Sequence, residues 1–126
     1  MHRPNCSKRS RLLNRGLQGI VIGTGPLFVS NRTELAMLAF GARLPTMGSF
    51  RDFAVAGTLA SYGASLSDLY RRAADFIDRV FKGANPAEMP IERPTKFEFL
   101  INLKTAKAFG LTISPSLLAQ ADEVIE

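Results

Sequence analysis

The stretch from Gly19 to Tyr62, GIVIGTGPLFVSNRTELAMLAFGARLPTMGSFRDFAVAGTLASY, decides the fold. Short apolar runs alternate in it with longer amphipathic ones. Ile20-Val21-Ile22 is β-branched and bounded by glycines, the pattern of a strand buried on both faces. Asn31 and Glu34 have capping-box spacing, so a helix is expected to start there, with Leu35, Leu38 and Ala39 inward and Gly41 at its end. Leu44–Gly48 reads as a second strand, with Pro45 near its start, where a missing N–H is tolerated. Ser49 and Asp52 repeat the capping spacing before Phe53 and Ala54, and Gly57 closes that helix. Thr58–Tyr62 is the third strand, broken by Gly63. Strand–helix alternation of this kind predicts an α/β fold with helices around a parallel sheet. Ligands of such sheets gather at the carboxyl ends of the strands, here the loops TGPLF, GSF and SYGAS.

Beyond Tyr62, Ser65 and Asp68 are expected to cap the longest helix, which runs through Lys82 to Gly83. Leu66, Leu69, Tyr70, Ala73, Phe76, Ile77, Val80 and Phe81 recur on one face, at steps of three and four. Arg71–Asp75 and Asp78–Lys82 are spaced for solvated ion pairs on the other face. Pro86, Pro90 and Pro94 make the next segment an extended connector. Phe97–Asn102 alternates as a strand with one exposed face, and Leu103–Phe109 is a short helix closed by Gly110. Ser114-Pro115 opens a final helix carrying Leu117, Leu118, Ala121 and Val124.

On the amino side, residues 1–15 hold five basic residues and no acid, and show no apolar period. They read as a basic, disordered leader, with the folded domain at 16–126. The run LQGIVIGTGPLFV is interrupted by glycines and a proline, so it reads as a strand after a basic leader rather than a signal peptide.

The chain has 126 residues, 46% of them hydrophobic, which suits one domain with a modest core. Its net charge of +5 comes from the leader; from Gly16 onward eleven basic residues face eleven acids. That distribution argues against nucleic-acid binding. A single cysteine, Cys6, and a single histidine, His2, exclude an internal disulfide, a histidine triad and a multi-Cys zinc site. No metal and no cofactor are expected.

Chemistry is sparse. GTGPLF departs from the dinucleotide fingerprint at Phe28 and has no P-loop lysine. Ser61 lacks a nucleophile-elbow context, and no base accompanies it, so catalysis is not expected. What remains is a binding surface: Gly25, Pro26, Leu27 and Phe28 in the first loop, Phe50 in the second, and Tyr62 beside the third. Pro26 would stiffen its loop and Phe28 would offer a ring. Tyr62 offers a ring and one hydroxyl.

Two strings carry a family resemblance. GPLFVSNRTELAMLAFGARLPTMGSFRDFAVAG is one; the other runs from SYGASLSDLY through PTKFEFLINLKTAKAFG to the closing ADEVIE. Both resemble the substrate-binding proteins of ABC transporters of the tryptophan/tyrosine type, over about residues 17–126. The resemblance implies one lobe of a type I periplasmic binding protein, a three-layer α/β/α arrangement plus a C-terminal strand and helices. It implies a small organic solute, amino-acid-like or aromatic, and an ABC permease as partner. It implies a missing N-terminal lobe supplying the other half of the cleft, and a periplasmic location, or a cytoplasmic one if the chain is truncated. The family's acidic residue before Pro-Leu-Phe is replaced by Gly25, its paired glycines by Gly57-Thr58, and a common proline by Ala64. The first change removes a carboxylate suited to a ligand amino group. A flavodoxin-like or receiver-like interaction module is the alternative reading, though its strand ends should carry clustered acids.

Overall fold

The computed structural model describes residues 16–126; the leader, with His2 and Cys6, lies outside them. The core is a five-stranded sheet in sequential order: β1 (Ile20–Val21), β2 (Thr46–Gly48), β3 (Ala60–Ala64), β4 (Phe97–Asn102) and β5 (Glu123–Ile125). Helices flank it: α1 (Pro26–Ser30) and α2 (Arg32–Gly41), then α3 (Arg51–Ala56), α4 (Leu66–Phe81), α5 (Leu103–Ala108) and α6 (Pro115–Leu118). The pairings β1–β2, β2–β3 and β4–β5 are parallel, as the alternation predicts. β3–β4 is antiparallel, because α4 and the proline-rich connector return the chain to the edge it left.

The centre is built from the second half of the deciding stretch. Phe53 and Ala54 are fully buried. The backbone of Gly48 passes so close to Phe53 that a Cβ there would stand 2.2 Å from the Phe53 Cβ. Gly57, at φ 115°, turns the chain out of α3 as expected. Asn102 ties the layers together. Its Nδ2 donates to the Ala54 carbonyl (2.9 Å), and its Oδ1 accepts from the Thr105 amide (3.0 Å), capping α5.

Several elements differ from expectation. β1 is an edge strand, so Val21 is 78% exposed while Ile22 is buried. The inner residues of α2 are Ala36 and Ala39, and Leu38 faces solvent. None of the three capping boxes forms. Asn31 closes α1 instead, its Nδ2 donating to the Leu27 carbonyl (2.8 Å). Ser49 donates to the Ile22 carbonyl (2.7 Å), which leaves Phe50 at the N-cap of α3. Ser65 stands at the N-cap of α4, but its hydroxyl meets that of Ser67, and Asp68 holds Arg72 instead. Asp78–Lys82 forms at 2.7 Å; Arg71–Asp75 does not.

The third strand runs on through Gly63 rather than breaking there. The Ser49 carbonyl lies where a Gly63 Cβ would be, 1.7 Å away, so a side chain at this strand position has no room. The final helix stops at Leu118. Asp122 is drawn into the sheet: its amide donates to the Phe99 carbonyl (2.8 Å) and its carboxylate accepts from the Phe99 amide (2.8 Å). β-Branched Val124 and Ile125 then continue as β5 beside β4.

The largest difference is α4. Its amphipathic pattern is as expected, yet none of its sixteen residues is buried. The connector, with a short 3-10 turn at Pro86–Glu88, folds back along one flank of α4. Arg72 fastens the two segments, holding Asp68 and Glu92 at 3.1 Å each and also donating to Thr95. The arm joins the sheet where Ala64 pairs with Phe97 and the Ser65 amide meets the Lys96 carbonyl.

Candidate functional site

Three parallel strands end at one edge; five of the six residues singled out in the sequence, Gly25–Phe28 and Phe50, lie at the exits of the first two, and Tyr62 lies inside the third rather than at its end. The exit of β1 leads through Gly25 into α1. Pro26 occupies the first helical position, so Pro26, Leu27 and Phe28 are the first turn of a helix rather than a loop. Leu27 is 72% exposed and Phe28 44%. The Phe28 ring folds back over Gly25, 3.2 Å from where a Cβ would stand. Gly25 is extended, at φ −174°, a conformation open to any residue. An acid at this position would be limited by the Phe28 ring, not by the backbone.

The exit of β2 leads through Ser49 to half-buried Phe50 and into α3. Tyr62 lies two residues from the end of β3, 54% exposed. Its ring stacks on Phe97 (centroids 5.9 Å, planes 15° apart) and meets Phe99 edge-on at 6.4 Å. The β3–β4 register places all three rings on one face of the sheet. Tyr62 is therefore oriented by packing, and its hydroxyl has no hydrogen-bond partner among the described residues.

The three exits are bound to one another. The Ser49–Ile22 hydrogen bond joins the first to the second, and the contact of Ser49 with Gly63 joins the second to the third. Sequence reading missed these ties because Ser49 and Ile22 are 27 residues apart. It also missed an ion pair at the same edge. Arg51, next to Phe50, donates to both oxygens of Glu123 at the start of β5 (Nε 3.1 Å, Nη2 2.7 Å). The hydrogen bonds and charge of Glu123 raise the Arg51 pKa above its ordinary value, so the guanidinium stays charged at every ordinary pH. Both side chains are nearly half exposed, so the pair orients more than it stabilises. Phe97 and Phe99 were readable as an alternating apolar face, but their stacking on Tyr62 depends on a strand direction that the pattern does not specify.

The edge offers aromatic and aliphatic side chains and one ion pair. Among the described residues no three metal-ligating side chains come together. Concave surfaces elsewhere on the described residues include two larger ones. One of about 430 Å³ separates α4 from the connector, and one of about 690 Å³ lies between Phe40, Arg43, Lys107 and Phe109.

A mostly parallel sheet flanked by helices, with its strand exits gathered at one edge, is the architecture of periplasmic-binding-protein-like domains. The chain belongs to the family of ABC transporter substrate binding proteins, whose family model matches residues 7–125. A search of curated proteins gives no match. Among solved structures, a conserved domain protein from Vibrio cholerae is similar at 19% identity and a TM-score of 0.85, covering 94% of this chain and 40% of its own. An ABC domain from Streptococcus pneumoniae, solved in complex with L-Trp, is similar at 24% identity and 0.84, covering 99% and 43%. A ligand-free, open substrate binding protein with adhesive properties from Clostridium difficile is similar at 15% and 0.65, covering 96% and 41%. The chain thus spans about two-fifths of each of these structures.

Proposed function

We propose that this chain supplies half of a small-molecule cleft in the solute-binding component of an ABC uptake system, and that it performs no catalysis. The observation that supports the reading is the tying together of the three strand exits through Ser49, with Phe28 after the first, Phe50 after the second and Tyr62 just short of the third. Rings on a stiff frame favour a flat, apolar solute carrying a polar end, so an amino-acid-like or aromatic molecule is the class assigned. The bound L-Trp of the Streptococcus domain supports that class. Gly25–Phe28, Phe50 and Tyr62 are the contacts. A second lobe supplies the opposing wall, because a hinge-type binder encloses its ligand from both sides. Membership of the family supports delivery to a membrane permease on the periplasmic side.

The test is a titration of the 15N-labelled chain with L-tryptophan, L-tyrosine, L-leucine and L-glutamate. A half-site binds weakly, so titration reaches about 10 mM, beyond the millimolar end of the affinity scale. The expected result is saturable amide shifts at Gly25–Phe28, Phe50 and Tyr62 with an aromatic amino acid, lost in Tyr62→Ala. Saturable shifts confined to other surfaces, or none at any concentration, would overturn the reading.

A further inference from the structure

Four helix ends turn the chain through a positive φ. Three of them use glycine: Gly57 after α3, Gly83 after α4 and Gly110 after α5. After α2 the position is held by Arg43, at φ 54°. A side chain there crowds the following carbonyl, so this conformation favours glycine over arginine. The turns after α2 and α5 are built alike. Arg43 and Leu44 donate to the Phe40 and Ala39 carbonyls (3.0 Å each), and Gly110 and Leu111 donate to those of Lys107 and Ala106 (3.0 and 2.9 Å). Capping of these carbonyls therefore falls to backbone amides, not to cationic side chains.

Between the two turns lies the hollow of about 690 Å³, walled by the tilted pair Phe40 and Phe109, whose centroids are 5.2 Å apart. Its two charged residues are Arg43 and Lys107, and no acid lines it. Neither cation holds a carboxylate among the described residues.

We propose that this hollow binds a small aromatic anion, its ring against Phe40 and Phe109 and its carboxylate between the Arg43 guanidinium and the Lys107 ammonium. A helix end that glycine would close without strain keeps an arginine, and that arginine borders the hollow. The guanidinium offers paired donors that match a carboxylate, and two cations with no acid beside them draw an anion. The volume lies within the roughly 300–1,000 Å³ of small-molecule sites. Residues 1–15, with five basic residues and no acid, do not complement two cations. Pro45 stands just before β2, so the hollow lies at the amino edge of the parallel strands, opposite the exits. A lobe closing over the exits leaves that edge open, and the inference does not depend on the solute reading.

The test is titration of the whole 15N-labelled chain with benzoate and with benzamide, which share a shape and differ in charge. Millimolar binding is expected, so titration reaches about 20 mM. Benzoate should give saturable amide shifts at Phe40, Arg43 and Lys107–Leu111. Benzamide should bind at least about fivefold more weakly, and benzoate itself should weaken in about 0.5 M salt. Arg43→Gly and Lys107→Gln should each weaken benzoate binding at least about threefold. Arg43→Gly should do so with a thermal midpoint at or above that of the wild type, because glycine relieves the turn. Absence of saturable shifts at these amides, or an equal response to benzoate and benzamide, overturns the inference. A lower midpoint in Arg43→Gly overturns it too, by assigning the guanidinium to the fold. Shifts confined to Gly25–Phe28, Phe50 and Tyr62 overturn it as well, while leaving the solute reading intact.

Discussion

The six-residue helix α3 and the sixteen-residue helix α4 invert what their sequences advertise. α3 has little room for a pattern, yet Phe53 and Ala54 are fully buried and the Ala54 carbonyl anchors Asn102. α4 has the most regular apolar face in the chain and buries no residue. Amphipathicity shows that a helix has a face to bury; it does not say what will bury it. A helix stabilises the fold through what it packs against, and α4, packed along the connector, buries no residue.

The sharpest way to break this comparison is to truncate one residue in each helix. Phe53→Ala leaves a cavity at the centre of the sheet layer, against the close backbone of Gly48. Urea unfolding should show a loss of about 3–5 kcal/mol, enough to unfold much of the population of a small domain. Ile77→Ser on α4 removes an exposed side chain, so in dilute solution stability should change by less than about 0.5 kcal/mol. A loss at Ile77 comparable to that at Phe53 would mean that α4 is part of the core after all.

The same contrast explains what was legible. Strand and helix alternation shows in the sequence because period and punctuation are local properties. The glycine exits at Gly57, Gly83 and Gly110, all at positive φ, were readable for the same reason. The capping boxes were not. Ser49 had a more distant acceptor in Ile22, and Ser65 had Ser67 as a partner. β5 was hidden because ADEVIE continues a helical period, and only its pairing with Leu100, Ile101 and Asn102 makes it a strand. The direction of β4 was hidden too, because alternation is the same in a parallel and an antiparallel neighbour. At the candidate site, the residue types and their place at strand exits were legible. The ties through Ser49, the Tyr62–Phe97–Phe99 cluster and the Arg51–Glu123 pair were not, since each joins positions distant in sequence.

The division between a packed sheet and a free arm is tested most directly by amide hydrogen exchange, read residue by residue in dilute solution. Core amides open only with global unfolding, whereas elements with few buried contacts open at lower cost. The account predicts that amides of β3, β4 and α3 exchange at the global rate, and that those from Leu69 to Phe81 exchange many-fold faster, as a separate group. Protection of α4 equal to that of β3 would contradict it, because the arm and the sheet would then be one cooperative unit.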